Sequence, residues 1–413
     1  MLFSLLLLLV FGMSMVAAAI FGRAARPPPQ VGTEFSAVLE GVGSPLGPHE
    51  VLCVKPAVPP RAVLVFVPGN PGQPSFYSDF AERLCARLEA EVVVLGLAGH
   101  LTRPSALALG WRERRRSFTI HDQVAHVAAR SAPYLARADA LGVPCCMAGH
   151  SIGAWIALGA SLRLQPLQPV TSGTAASGAA ETAYRSRPYV LLLTPFLEAP
   201  SSMPIDSFRS KYRLITRWGA LLTEPAAAIG AALGAAPEVL RRRVLAGELA
   251  NLSPQYANLV LHGLVHAGSL RNLLTLARTE FAALAPSFDF SAGAATLAAS
   301  DQLRALFVPG DEWAPSAMMA RCTAAGVSAE LLESTPDALM RHAFSVQPGS
   351  CSAVVDWVAR SFAQMSGLVD INSSPSADGG PSPMGGAAAT GGRPGKSPRR
   401  GRPQGRKSQA GAV

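Results

Sequence analysis

Charge is scarce in this sequence: 15% of its 413 residues are Asp, Glu, Lys or Arg, against 49% hydrophobic. That balance excludes a solvated, disordered chain for most of its length and implies apolar surface beyond what one core consumes, the signature of membrane or lipid contact. Cysteine is sparse and unpatterned. Cys53, Cys85, Cys145, Cys146, Cys322 and Cys351 form no C-x-x-C pair, which excludes a disulfide framework and a zinc ribbon. Adjacent Cys145 and Cys146 sit in an apolar run and read as reduced core thiols. Of the eight histidines, His262 and His266 stand four apart without a carboxylate beside them in sequence, so neither a metal site nor a cofactor is expected. Acidic residues are missing from the last 21 positions, which hold Arg393, Lys396, Arg399, Arg400, Arg402, Arg406 and Lys407. Without those seven charges the net +9 falls to +2. The folded part is therefore nearly neutral and has no basic groove for nucleic acid.

What is present begins with Leu2 to Phe21, an uncharged apolar stretch followed by Arg23, Arg26 and three prolines. Its length suits a membrane anchor. The small residues Ala17-Ala18-Ala19 leave a cleaved signal peptide open, but a basic start is lacking and the arginines follow the apolar run, which favours an uncleaved anchor with the rest of the chain on the cytosolic side. Residues 1–22 are read as this segment, 23–50 as a linker and the start of the domain, 51–365 as one α/β domain, and 366–413 as a disordered basic tail rich in Pro, Gly, Ser and Ala.

Within the domain, Ala62–Val67, Glu91–Leu97, Val143–Ala148 and Tyr189–Pro195 are short apolar runs separated by helical patterns, including Tyr77 to Leu88 and Ile120 to Leu135. His121 and His126 are placed on the surface of the latter helix. Strand and helix in alternation predict a mostly parallel sheet, whose sites lie at the carboxyl ends of the strands. One such end is Gly149-His150-Ser151-Ile152-Gly153. Between a strand and a helix, G-x-S-x-G is a nucleophile elbow, in which small flanking residues let the backbone turn tightly enough to lift the serine hydroxyl clear of the sheet. Ser151 is thus the candidate nucleophile. Pro68-Gly69-Asn70-Pro71-Gly72 ends another strand, where hydrolase sheets supply a backbone N–H to an oxyanion hole. Pro68 and Pro71 have no N–H to give, so Asn70 is the expected donor, with Ile152 as the second.

Helical periodicity replaces the strand pattern from about 198 to 300, as expected for a lid insertion. Leu214 to Ala236 is strongly apolar but interrupted by Arg217, Glu224 and Pro225, which argues against a straight membrane span. Two short helices meeting near Pro225 are expected, either lying in a lipid interface or buried as a lid pair. Asn251 to Leu284 reads as one or two more helices. The arginine-rich run Trp111 to Arg116 is either a solvated loop or a contact for anionic headgroups, and Gln165 to Arg187 reads as a flexible loop. The strand Leu303 to Val308 then ends in Pro309-Gly310-Asp311-Glu312. Chain order Ser, Asp, His predicts the orienting acid here, Asp311 with Glu312 in reserve. Downstream lies a single histidine, His342, which that order makes the general base.

Val67 to Gly72 with Phe76-Tyr77, Ala98-Gly99-His100, Gly149 to Gly153, Asp311 to Pro315 and His342-Ala343-Phe344 together resemble the lipid droplet-associated hydrolase family of α/β-hydrolases. The resemblance implies an α/β-hydrolase fold, a Ser151, Asp311, His342 triad, association with lipid droplets and the endoplasmic reticulum, and esterase activity on neutral lipid esters such as sterol esters or acylglycerols. It also favours the interfacial reading of Leu214 to Ala236. Two alternatives stay open: a droplet-surface protein with little catalysis, and an acyltransferase using the same three residues.

Overall fold

The computed structural model describes residues 37–164, 187–198, 206–250, 252–284, 292–334, 340 and 342–368. The apolar segment Leu2 to Phe21, nearly all of the loop expected from 165 to 187 and the basic tail lie outside the described residues. The chain divides into two compact units, Met1–Asn372 and Ser373–Val413, and every described residue belongs to the first.

Eight strands form one sheet in the order β1-β2-β4-β3-β5-β6-β7-β8. They are β1 (Val38–Glu40), β2 (His49–Val54), β3 (Ala62–Val67), β4 (Ala90–Leu95), β5 (Cys145–His150), β6 (Tyr189–Leu193), β7 (Leu303–Phe307) and β8 (Ser328–Leu331). β1 and β2 pair antiparallel, β2 runs antiparallel to β4, and the remaining pairs are parallel. β3, β4 and β5 are buried along their whole length, which is why they read as continuous apolar runs.

The period of two along each strand sends alternate residues to opposite faces. Leu64, Phe66, Val92, Val94, Cys146 and Ala148 meet Phe80 and Leu84 of α1 (Ser78–Leu88) together with Val354, Trp357 and Phe362 of the chain's last described helix, Pro348–Ser366. Val63, Val65, Val67, Val93, Cys145 and Met147 meet Val124 and Val127 of α2 (Ile120–Leu141) and Ile156 of α3 (Ile152–Arg163). Thr119 caps α2 in a reciprocal box with Asp122, satisfying donors the first turn cannot pair internally. His126 is fully buried on α2, contrary to the expectation of a surface position; its Nε2 lies 3.2 Å from the Gly96 carbonyl. His121 is exposed.

The helical insertion follows β6. Instead of two short helices meeting near Pro225, one helix, α4 (Asp206–Ala235), runs through it. Pro225 is exposed, and the missing backbone hydrogen bond is outweighed by packing of Leu222, Ala226, Ile229 and Leu233 with Leu270, Leu273 and Leu274 of α5 (Ala267–Ala283). Among the described residues no helix is long and apolar enough to cross a membrane.

Candidate active site

Ser151 sits between β5 and α3 with φ 55° and ψ −126°, a conformation costing about 1–3 kcal/mol that persists only when its surroundings over-determine it. Here they do. The Ser151 N–H donates to the Leu193 carbonyl at 3.0 Å, and the Ser151 carbonyl accepts from the N–H groups of Ala154 at 3.0 Å and Phe196 at 3.1 Å. The flanking glycines are steric necessities: a Cβ on Gly149 would fall 2.2 Å from the Gly153 carbonyl oxygen, and one on Gly153 would fall 2.4 Å from the carbonyl oxygens of Val67 and Pro68.

Asp311 and His342 come from loops after β7 and β8. His342 Nε2 lies 2.9 Å from Ser151 Oγ, and His342 Nδ1 lies 2.8 Å from Asp311 Oδ2. The other carboxylate oxygen, Oδ1, accepts from the Trp313 N–H at 2.8 Å, and the Asp311 side chain is fully buried. A buried carboxylate holds Nδ1 as the donor and leaves Nε2 to accept from the serine hydroxyl. The arrangement can therefore move a proton from Oγ to the ring as Oγ attacks an electrophile. Glu312, the reserve acid, is exposed.

The loop carrying Asn70 is held from several sides. Gly69 N–H donates to the Tyr77 hydroxyl at 3.1 Å, Asn70 Nδ2 to the Leu273 carbonyl of α5 at 3.3 Å, and Leu97 N–H to the Gly72 carbonyl at 3.0 Å. His100 Nδ1 donates to the Pro71 carbonyl at 2.7 Å, which explains the Ala98-Gly99-His100 motif. With the Gly69 N–H engaged and Pro71 lacking one, Asn70 is the first residue of this loop whose N–H remains available near Ser151. Ile152 is the first residue of α3, so its N–H has no acceptor within the helix. Asn70 and Ile152 line the same cavity as Ser151 and His342.

A second polar chain crosses behind the elbow. His150 Nε2 lies 2.8 Å from the His342 carbonyl, and its Nδ1 lies 2.7 Å from the Tyr77 hydroxyl. A carbonyl only accepts, so Nε2 carries the proton, Nδ1 accepts from Tyr77 O–H, and the Tyr77 oxygen accepts from Gly69 N–H. Burial, then the neighbouring His342, hold the His150 pKa well below its ordinary value, as a neutral ring in this tautomer requires. Sequence reasoning placed His150 only as an elbow residue and Tyr77 only in the family-resembling motif and at a helix start; residues in contact across 73 and 192 positions leave no local signal.

Phe76, Phe196, Leu252, Leu264, Trp313 and Val346 give the cavity apolar walls. Among the described residues, no group of three or more His, Cys, Asp or Glu is placed to hold a metal ion. Glu238 lies 3.4 Å from His262, while His266 Nε2 bonds the Leu101 carbonyl at 2.8 Å.

A family model described as lipid-droplet associated hydrolase matches residues 60–345. The chain belongs to that family. The lipid-droplet associated hydrolase match spans β3 through the His342 loop, and so contains Ser151, Asp311 and His342. No curated protein matches the sequence. Solved structures similar to this hydrolase include haloalkane dehalogenase DbeA from Bradyrhizobium elkani, at 14% identity and TM-score 0.48, covering 80% of this chain and 99% of that one. A soluble variant of monoglyceride lipase from Saccharomyces cerevisiae is similar at 11% identity and TM-score 0.46, covering 83% and 99%. An esterase from Thermogutta terrifontis follows at 13% identity and TM-score 0.43, covering 80% and 99%. The α/β-hydrolase fold of this family member is carried by its own strand order and elbow.

Proposed function

We propose that this hydrolase is a serine esterase that cleaves a neutral lipid ester of sterol ester or acylglycerol type through Ser151, His342 and Asp311. The observation that carries the reading is His342, which joins Ser151 Oγ at 2.9 Å to Asp311 Oδ2 at 2.8 Å in an apolar cleft. Ser151 Oγ attacks the ester carbonyl while His342 Nε2 takes its proton. Asp311 holds the ring's tautomer and stabilises the imidazolium. The carbonyl oxygen, now carrying negative charge, is stabilised by the N–H groups of Asn70 and Ile152, each such donor being worth about 3–4 kcal/mol in the transition state. His342 then donates its proton to the departing alcohol, leaving an acyl-enzyme on Ser151. Water, deprotonated by His342, attacks the acyl carbonyl, and as the acyl–Oγ bond breaks His342 returns that proton to Ser151 Oγ and the acid leaves.

Lipid contact is supported by the outer face of α4. Trp218 is 45% and Leu221 67% exposed, and Pro225, Ala228, Ala231, Ala232 and Ala235 continue outward toward the helix's end. An apolar helix face beside a lipid-ester site suits docking at a lipid droplet or endoplasmic reticulum surface from the cytosolic side.

A fluorophosphonate probe tests the chemistry. Wild type is expected to be labelled on Ser151 and Ser151→Ala to remain unlabelled; equal labelling of both defeats the assignment.

A further inference from the structure

Glu280 lies in the last turn of α5 and lines the cavity that holds Ser151 and His342. It is 2% exposed, and its Oε2 has no hydrogen-bond partner among the described residues. Apolar side chains line much of the cavity beside it. The next residue, Phe281, packs edge-on against Phe196 at 5.9 Å between ring centroids, and Phe196 packs against Trp313 at 5.3 Å. The other cavity residues from the insertion, Leu252 and Leu264, are aliphatic. Burial alone pushes the Glu280 carboxyl up to about 8, so it is largely the neutral acid at pH 7.

Among the described residues nothing pairs with this acid's Oε2. A buried polar group without a partner destabilises, and a leucine of similar size would pack against the same walls at no such cost. An unpartnered group facing a cavity is satisfied by what enters the cavity. A protonated carboxyl has one O–H donor and an acceptor oxygen. A hydroxyl matches both at once, whereas an ether or ester oxygen accepts only and an alkyl chain does neither. An ammonium would require the ionised carboxylate, which these walls disfavour.

We propose that Glu280 is a substrate-binding group that pairs with a free hydroxyl of the lipid ester, so that the site selects partly esterified polyols or hydroxylated esters over fully substituted ones. The proposal rests on the reading of this cavity as the ester site. Sites built to pair a hydroxyl discriminate against analogues lacking it, because the protein's own polar group is then left unpaired.

The test uses full-length protein carrying Ser151→Ala and a ligand that cannot be hydrolysed, 1-O-octylglycerol, compared by calorimetry with its dimethyl ether. The diol is expected to bind at least about tenfold more tightly than the diether. Adding Glu280→Leu should remove that preference while raising Tm, and adding Glu280→Gln, whose amide both donates and accepts, should keep most of it. An unchanged preference in Glu280→Leu, no preference at all, a lowered Tm in Glu280→Leu, or tighter binding of octylamine than of the diol each overturns the proposal. Failure of the esterase reading shows separately, as absent fluorophosphonate labelling of Ser151 in the protein with Glu280 and Ser151 both intact.

Discussion

Single residues set the proposed chemistry by what they touch. Asp311 Oδ2 reaches His342 Nδ1 at 2.8 Å, whereas the neighbouring Glu312 is exposed. Asp311→Asn should therefore lower kcat by about 10^4 through the wrong histidine tautomer, with Glu312→Gln near wild type, as read by turnover of a soluble ester. His150 and Tyr77 act through others, clamping the Gly69 amide on one side and the His342 carbonyl on the other. Tyr77→Phe leaves the Gly69 N–H and His150 Nδ1 without their partner, a loss of about 1–3 kcal/mol for each buried group. Displacing the Asn70 loop or His342 by about 1 Å should lower kcat roughly 100-fold with a small change in KM; steady-state kinetics alongside a melting curve separate that positioning effect from global destabilisation. Ser151, Asp311 and His342 were legible because a chain-order rule leaves few candidates. Tyr77 and Glu280 were not, since a tyrosine beside a helix start and a glutamate in a helical pattern carry no mark of the cavity they face.

Elements show the same division. β3, β4 and β5 announced themselves as apolar runs because both of their faces are covered, and the elbow followed from the glycines its close contacts demand. Gly153→Ala should accordingly abolish soluble expression or labelling together, since its Cβ would strike two backbone carbonyls that cannot give way. β1 and the start of β2 went unread within 23–50, taken as a linker and the start of the domain, because a three-residue edge strand has too few positions to show a period. α4 was expected to break at Pro225, a local rule worth about 3 kcal/mol that packing along α5 overrides. Its outward Trp218 and Leu221 yield a prediction for lipid contact. Replacing both with Asp should reduce flotation with triolein droplets more than tenfold, from about 1.5 kcal/mol or more per large side chain withdrawn from lipid; unchanged flotation removes α4 from the docking surface.

At the scale of the whole molecule, the fold holds five buried histidines, His49, His100, His126, His150 and His266. Burial lowers His49, His100 and His266 to about 4 and His126 to about 3, and lowers His150 as well. The unfolded chain binds these protons below about pH 6.5 and the native state does not, so each histidine removes up to about 1.4 kcal/mol of stability per pH unit as pH falls from 6.5 toward 4. Glu280 acts in the opposite sense: raised from 4.5 to about 8, it keeps its proton only in the native state, and its contribution is lost as pH rises through that window. Denaturation midpoints should peak near pH 7, fall steeply on the acid side and gently toward pH 8, with Glu280→Gln removing the decline above the peak and steepening the acid limb above about pH 4.5. The sequence by itself determined the α/β class, the elbow and the chain order of the three residues proposed as the triad, because burial on two faces, tight turns and strand ends each leave a mark within a few neighbouring positions. Only the tertiary structure decided which acid reaches His342, that His126 lies inside, that α4 passes through Pro225, and that Tyr77, His150 and Glu280 border the site. Those outcomes depend on contacts between distant segments, where no local pattern is required and packing settles the balance.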